Sequence, residues 1–204
     1  MEKEELVNAI VQLEWEAFDK VDNLGGRAGC QNDGETFSIM RKSQYLVWPE
    51  ELLVSFYSDF VQANKKNWNL ITEKYARMME YTVPEEYEQL KDKLPVCSEQ
   101  KKAIVNQIAQ IQVEWMKEFA SEYPNMAQNA RSITSFEDTP YNTSYETYLK
   151  GELMTYSDQT LGLYGKWIVA LSQQNQNLAK MIMTNTAHLY GYETLEIAEQ
   201  KLSH

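Results

Sequence analysis

Apolar residues that recur three and four positions apart leave this chain little alternative to helix. Over residues 3–22, Leu6, Ile10, Leu13, Ala17 and Val21 fall on one stripe, as on a helix with one buried face. Gly25 and Gly26 then read as its end, since glycine reaches the left-handed backbone that closes helices. A short helix is expected over "ETFSIMRKSQYLVW", with Asn32 or Asp33 accepting from the open N–H groups of its first turn. Pro49 followed by Glu50 and Glu51 predicts the start of a long helix, because proline has no N–H to lose there and carboxylates suit the positive end of the helix dipole. Pro84 repeats that signal, with a stop at Pro95, and Ser98 opens a helix to about Tyr123. Residues 124–143, rich in Asn, Ser, Thr and Pro, read as one long loop. From Ser144 to Tyr190 the pattern is helical again, with Gly151, Gly162 and Gly165 as the expected adjustments. Almost nothing alternates as a strand would.

The two halves of the chain echo one another in order. Val7-Asn-Ala-Ile matches Val105-Asn-Gln-Ile, Glu14-Trp15 matches Glu114-Trp115, and Phe37 matches Phe136. Tyr57-Ser-Asp matches Tyr156-Ser-Asp, Trp68 matches Trp167, Ala76 matches Ala179 and Tyr87 matches Tyr192, each pair about one hundred positions apart. The expectation is an all-α bundle, one domain over 1–204, built from two tandem helical repeats of about 3–94 and 98–202 related by a pseudo-twofold axis. A ligand site would then lie between them. Features present in both halves read as structural, and those in one half as functional. Trp15, Trp115, Trp68 and Trp167 are therefore expected as core anchors.

Charge narrows the function. A net charge of −11 argues against nucleic acid or an anionic membrane, both of which are recognised by clustered Lys and Arg. No segment is long and apolar enough to span a bilayer, the first residues lack a signal-peptide pattern, and the expected location is the cytoplasm. Cys30 and Cys97 suggest neither a disulfide framework nor a thiolate metal site.

Some polar residues sit where helical spacing puts them among apolar ones. Glu14 has Val7, Ile10, Val11, Phe18 and Val21 as neighbours, Asp59 has Leu52, Phe56 and Ala63, and Asp158 has Met154 and Leu161, while Glu114 is more weakly placed. Carboxylates on such stripes need hydrogen bonds, counter-charges or a metal. Glu14, Asp59, Glu114 and Asp158 could surround a dinuclear metal, as in ferritin-like bundles, but no Glu-x-x-His accompanies them; hydrogen bonds to Tyr or Trp of the other half are the simpler expectation. His188 reads as a satisfied core histidine.

The stretch "NLGGRAGCQND" has no close counterpart in the second half. A helix end and a turn account for its glycines, but Arg27, Cys30, Gln31 and Asp33, followed by Arg41, Ser43 and Gln44, form a polar group with chemical capacity. Arg27 and Arg41 could fork onto a carboxylate or phosphate, with Gln31 and Gln44 as further ligand contacts. Glu14, Asp33 and Cys30 would be available for proton or nucleophile chemistry, with Cys30 alternatively a small buried apolar residue.

Residues 14–48, "EWEAFDKVDNLGGRAGCQNDGETFSIMRKSQYLVW", resemble the signature of an uncharacterised bacterial family, domain of unknown function 4125. The resemblance places Glu14, Arg27, Cys30, Gln31, Asp33, Arg41 and Gln44 in the family motif and implies a compact bacterial cytosolic protein. The resemblance further implies a link of some members to nucleotidyltransferase-like domains. It implies no particular reaction, and any cofactor is unknown. Two functions fit: a small-molecule enzyme or binding protein with an anion pocket between the halves, or a helical module that docks a protein partner such as a nucleotidyltransferase-like one.

Overall fold

The computed structural model describes residues 2–22, 26–128 and 130–203, and the described residues contain eleven α-helices and no strand. In the first half, α1 (Lys3–Asp19) is followed by α2 (Gly34–Tyr45), α3 (Glu50–Lys65), α4 (Leu70–Thr82) and the short α5 (Pro84–Leu90). In the second, α6 (Glu99–Glu122) is followed by the short α7 (Pro124–Gln128), then α8 (Tyr145–Thr155), α9 (Asp158–Gln173), α10 (Leu178–Leu189) and the short α11 (Leu195–Lys201).

Side chains that end one helix and begin the next account for breaks that the periodic pattern hides. The long helix expected from Pro49 divides between α3 and α4, where Asn67 takes φ 53° and Asn69 accepts from the N–H groups of Ile71 and Thr72. Asn tolerates the left-handed region better than most residues, and an Asn cap satisfies N–H groups a continuous helix would not expose. The 144–190 pattern divides twice: Ser157 caps α9, and Asn175, at φ 54°, precedes the cap Asn177 of α10. None of the three glycines makes these breaks. Gly151 instead lets α8 approach α4, because a Cβ there would lie 2.7 Å from Met78 Cγ and 3.0 Å from the Lys74 carbonyl. The 124–143 loop contains α7, opened by Pro124, and a 3₁₀ turn, Ser135–Glu137. α1 ends at Asp19 with Lys20 as its cap, so the glycine pair does not close it; Gly26 takes φ +85° farther on, and Gly25 lies outside the described residues.

The halves interlock. α1 packs on α2, α3 and α4, and α6 on α8, α9 and α10, while α4 crosses to lie against α8, α10 against α2, and α3 against α9. Between them lies an aromatic core. Trp48, fully buried, meets Tyr45, Phe56 and Tyr164 at ring separations of 4.9, 5.3 and 5.4 Å, and Phe56 meets Tyr156 at 5.0 Å. Burying one indole of this size is worth on the order of 5 kcal/mol of transfer free energy. Of the expected anchors, Trp115 is buried, whereas Trp15, Trp68 and Trp167 pack against the core from its edge. Trp48 was not singled out in the sequence because it has no echo.

Several echoed pairs do not occupy matching places. Trp68 stands in the turn between α3 and α4, but Trp167 stands inside α9; Tyr57 lies inside α3, but Tyr156 caps the end of α8; Phe37 packs in α2, but Phe136 is exposed.

Candidate functional site

The residues of the motif are brought together mostly inward. Arg41 leaves α2 with its guanidinium between two carboxylates, one from α1 and one from α8. Its Nε and Nη2 donate to the two oxygens of Glu14 at 2.8 and 2.7 Å, and its Nη2 and Nη1 donate to those of Glu152 at 3.1 and 3.3 Å. Nη2 also donates to the Tyr45 hydroxyl, and Nη1 to Gln44 Oε1 at 3.0 Å. Glu152 further accepts from Lys74 Nζ of α4 at 2.6 Å, from the Tyr156 hydroxyl at 3.1 Å and from Gln44 Nε2 at 3.2 Å. Glu14, Arg41, Lys74 and Glu152 are all more than nine-tenths buried, two cations against two carboxylates. Such a cluster is costly to bury and costlier to break, because each charge depends on the others.

The electrostatics follow from this geometry. Burial works against the Arg41 charge, but Glu14 and Glu152 outweigh it and hold the guanidinium well above its ordinary pKa. Burial alone would raise the Glu152 carboxyl; Arg41 and Lys74 overcome it and hold the group well below the usual carboxylate range. Burial pushes the Tyr45 and Tyr156 phenols up.

The loop residues have other partners. Arg27, half-exposed, donates to Asp19 Oδ1 and to the Gln31 carbonyl, both at 2.5 Å, and to Asn32 Oδ1 at 2.8 Å. Gln31 is buried in the 3₁₀ turn Gly29–Asn32, where its Nε2 donates to the carbonyls of Phe18 and Val21 at 2.9 and 3.0 Å. It thereby ties the turn to the end of α1. Asp33 caps α2, accepting from the Thr36 N–H at 3.0 Å, and that bond lowers its pKa. Cys30 is exposed, so the buried apolar reading does not hold; a 3₁₀ turn places it outside the core. Arg27 and Arg41 therefore do not converge on one open space, since each guanidinium is taken by internal acceptors.

The four acids weighed for a metal do not meet. Glu14 belongs to Arg41; Glu114 is exposed and pairs with Lys117 at 2.8 Å; Asp59 accepts from the Ser157 N–H at 3.0 Å; Asp158 is exposed in the first turn of α9. Among the described residues no three His, Cys, Asp or Glu side chains come together as a metal would need. His188 is exposed on the last turn of α10, its Nε2 3.0 Å from the Glu193 carbonyl, so it is not a core histidine.

Glu152 and Lys74 were missed in the sequence, although the reasoning that found Glu14 applies to both. Glu152 has Leu149 and Tyr156 at helical spacing, and Lys74 has Leu70, Ile71 and Met78, all buried. At the edge of the cluster, Lys74 Nζ lies 3.5 Å from the Tyr148 ring centre and the Arg131 guanidinium 4.8 Å from it. Tyr75 stands nearby, its phenol raised by burial and then by Tyr148 and Cys30.

A comparison with curated proteins and one with solved structures each gave no match. The family described as a protein of unknown function, DUF4125, matches residues 4–200. That span takes in both carboxylates, both cations and the whole of the loop, and the chain belongs to the DUF4125 family.

Proposed function

We propose that this chain is a helical interaction module that docks a protein partner through the segment before α8, with the motif serving as internal cement. Phe136 and Tyr141, 99% and 100% exposed, carry this reading. Single exposed apolar residues are ordinary, but two bare aromatic rings on one short segment are not. The segment is also pre-ordered. Thr139 and Asn142 exchange backbone hydrogen bonds at 2.9 and 3.2 Å, Asp138 accepts from the Ser144 N–H and the Thr147 hydroxyl at 2.6 and 2.5 Å, and the Ser135 N–H donates to Glu146 at 2.9 Å. Aromatic side chains held on a rigid frame lose little further entropy when a partner covers them. The net charge of −11 favours a basic partner surface.

The order of helices, though not the residue-by-residue echoes, supports the reading of a duplicated unit in which α1 to α4 correspond to α6, α8, α9 and α10. Asn69 and Asn177 each cap the fourth long helix of their half, and each donates to a carbonyl of the first, Ala17 at 2.8 Å and Trp115 at 3.0 Å. The crossed packing of α4 on α8 and of α10 on α2 is what a pseudo-twofold axis would produce.

The test is complex formation with the nucleotidyltransferase-like protein that the family resemblance points to. Phe136→Ser with Tyr141→Ser should weaken the complex at least about thirtyfold, as for an aromatic hot spot, with an unchanged urea midpoint. An unchanged complex would remove the segment from the interface.

A second reading, a small-molecule site at the outer edge of the ion cluster, is favoured by Tyr75 and Tyr148, whose hydroxyls have no hydrogen bond among the described residues. Cys30 would then supply a nucleophile and Arg131 a cation. Native mass spectrometry of freshly purified protein tests it: a bound mass lost in Tyr75→Phe supports the site, and a bare chain in both forms refutes it.

A further inference from the structure

A second feature lies beside α4, where α3, α4, the extended segment 95–97, the start of α6 and the end of α8 line an open groove of about 460 Å³. We infer that this groove binds a small amphipathic organic anion, a planar apolar body bearing one phosphate or carboxylate.

The floor is built on a buried pair. Glu73, 4% exposed, accepts from the Trp68 indole N–H at 2.5 Å and from Arg77 Nε at 2.8 Å, so both its oxygens are spent. Trp68 is thus pinned by its polar edge, which fixes its ring as a wall of the groove. Arg77 is 8% exposed and its Nη2 donates to the Pro95 carbonyl at 2.8 Å. Its Nη1 has no partner among the described residues, yet it is not among the sealed polar atoms that lack one. A guanidinium held at two of its three nitrogens offers the third in a fixed direction, which suits an oxyanion.

The rim adds charge of the same sign. Lys66 has no carboxylate partner among the described residues, and Lys101 Nζ is held by the Tyr156 carbonyl at 2.5 Å with its other N–H groups unspent. The lining holds three cations, Lys66, Arg77 and Lys101, and two carboxylates, Glu73 and Asp59; Glu73 and Arg77 offset one another, and Asp59 accepts from the Ser157 N–H, so the surplus is a single positive charge carried by the two lysines. Even a small surplus of positive charge stands out in a chain of net charge −11. Leu70 and Met154 complete the apolar wall beside Trp68, and the volume matches a ligand of small-molecule size.

The experiment follows the Trp68 indole N–H signal by NMR while phenyl phosphate, benzoate or benzyl alcohol is added to the whole chain. A saturable shift is expected with one or both anions, whichever is tighter naming the headgroup, and binding of benzyl alcohol should be at least about tenfold weaker. Lys66→Gln with Lys101→Gln, which leaves the Glu73–Arg77 pair intact, should weaken the anion at least about tenfold with the fold retained. Arg77→Met paired with Glu73→Gln removes both buried charges together and should abolish binding. No saturable shift below about 10 mM, equal binding of benzyl alcohol, or indifference to the lysine variant would each overturn the assignment.

Discussion

Replacing Arg41 by methionine keeps much of its volume and removes the charge that both Glu14 and Glu152 face. Glu14 would lose its bidentate partner and Glu152 two of its bonds, leaving Lys74 as the one buried cation beside two carboxylates. Stranding a buried charge in this way costs about 3–5 kcal/mol. Against a typical stability of about 5–15 kcal/mol, that is a large fraction. With a urea slope of about 2–3 kcal/mol per molar, the midpoint should fall by roughly 1–2.5 M. The pH dependence gives a second check. Glu152 is held below its ordinary value of 4.5, so its contribution is fully present above that value and is lost as pH falls toward its folded value. Protonated carboxyls need no counter-charge, so the gap between Arg41→Met and wild type should narrow in acid. A loss below about 1 kcal/mol at neutral pH, or a gap that does not narrow, would refute the reasoning.

Four further outcomes follow. Gly151→Ala should destabilise by about 1–3 kcal/mol in thermal unfolding, because a Cβ would overlap Met78 and the Lys74 carbonyl where α8 meets α4. Asn69→Ala and Asn177→Ala should each cost about 1–2 kcal/mol in urea, since each removes a helix cap and a bond to the first helix of its half. Gln31→Ala should cost about 1–3 kcal/mol by removing two buried bonds and leaving the Val21 carbonyl without its donor, while the Phe18 carbonyl keeps the Val21 N–H, read by faster hydrogen exchange at the end of α1. Tyr45, Tyr156 and Tyr164 are raised by burial, so an ultraviolet titration should leave them protonated past pH 10 until the chain unfolds. Because the unfolded phenols lose their protons first, stability should decline above that pH.

Helix class and most helix starts could be read from the sequence, because capping residues and apolar spacing are local. The breaks at Asn67 and Asn175 could not, since apolar periodicity continues across both and one residue in the left-handed region suffices to turn the chain. Glu14 was identifiable as a carboxylate in need of a partner, but the partner's name was not: helical spacing gives a face, not what lies opposite. Arg41 and Gln44 were grouped with the loop because they follow it in sequence, whereas α2 turns them toward α1 and α8. Arg27 stands out in the sequence, but its partners, Asp19 and the Gln31 carbonyl, do not, because the 3₁₀ turn that brings them together has no periodic signal. Tyr141 left no sequence signal as an exposed anchor; only its surroundings distinguish it from a core tyrosine.

The most direct test of the account is the nitrogen-edited NMR spectrum of the arginine side chains near neutral pH, with Arg41→Lys to assign the signal. If Arg41 is bound inside the molecule by Glu14 and Glu152, its Nε–H and Nη–H protons should exchange slowly and appear as resolved signals, with contacts to the Tyr45 ring. A single averaged guanidinium signal exchanging as fast as that of a free surface arginine would show that the motif faces solvent, and the inward reading of it would fall.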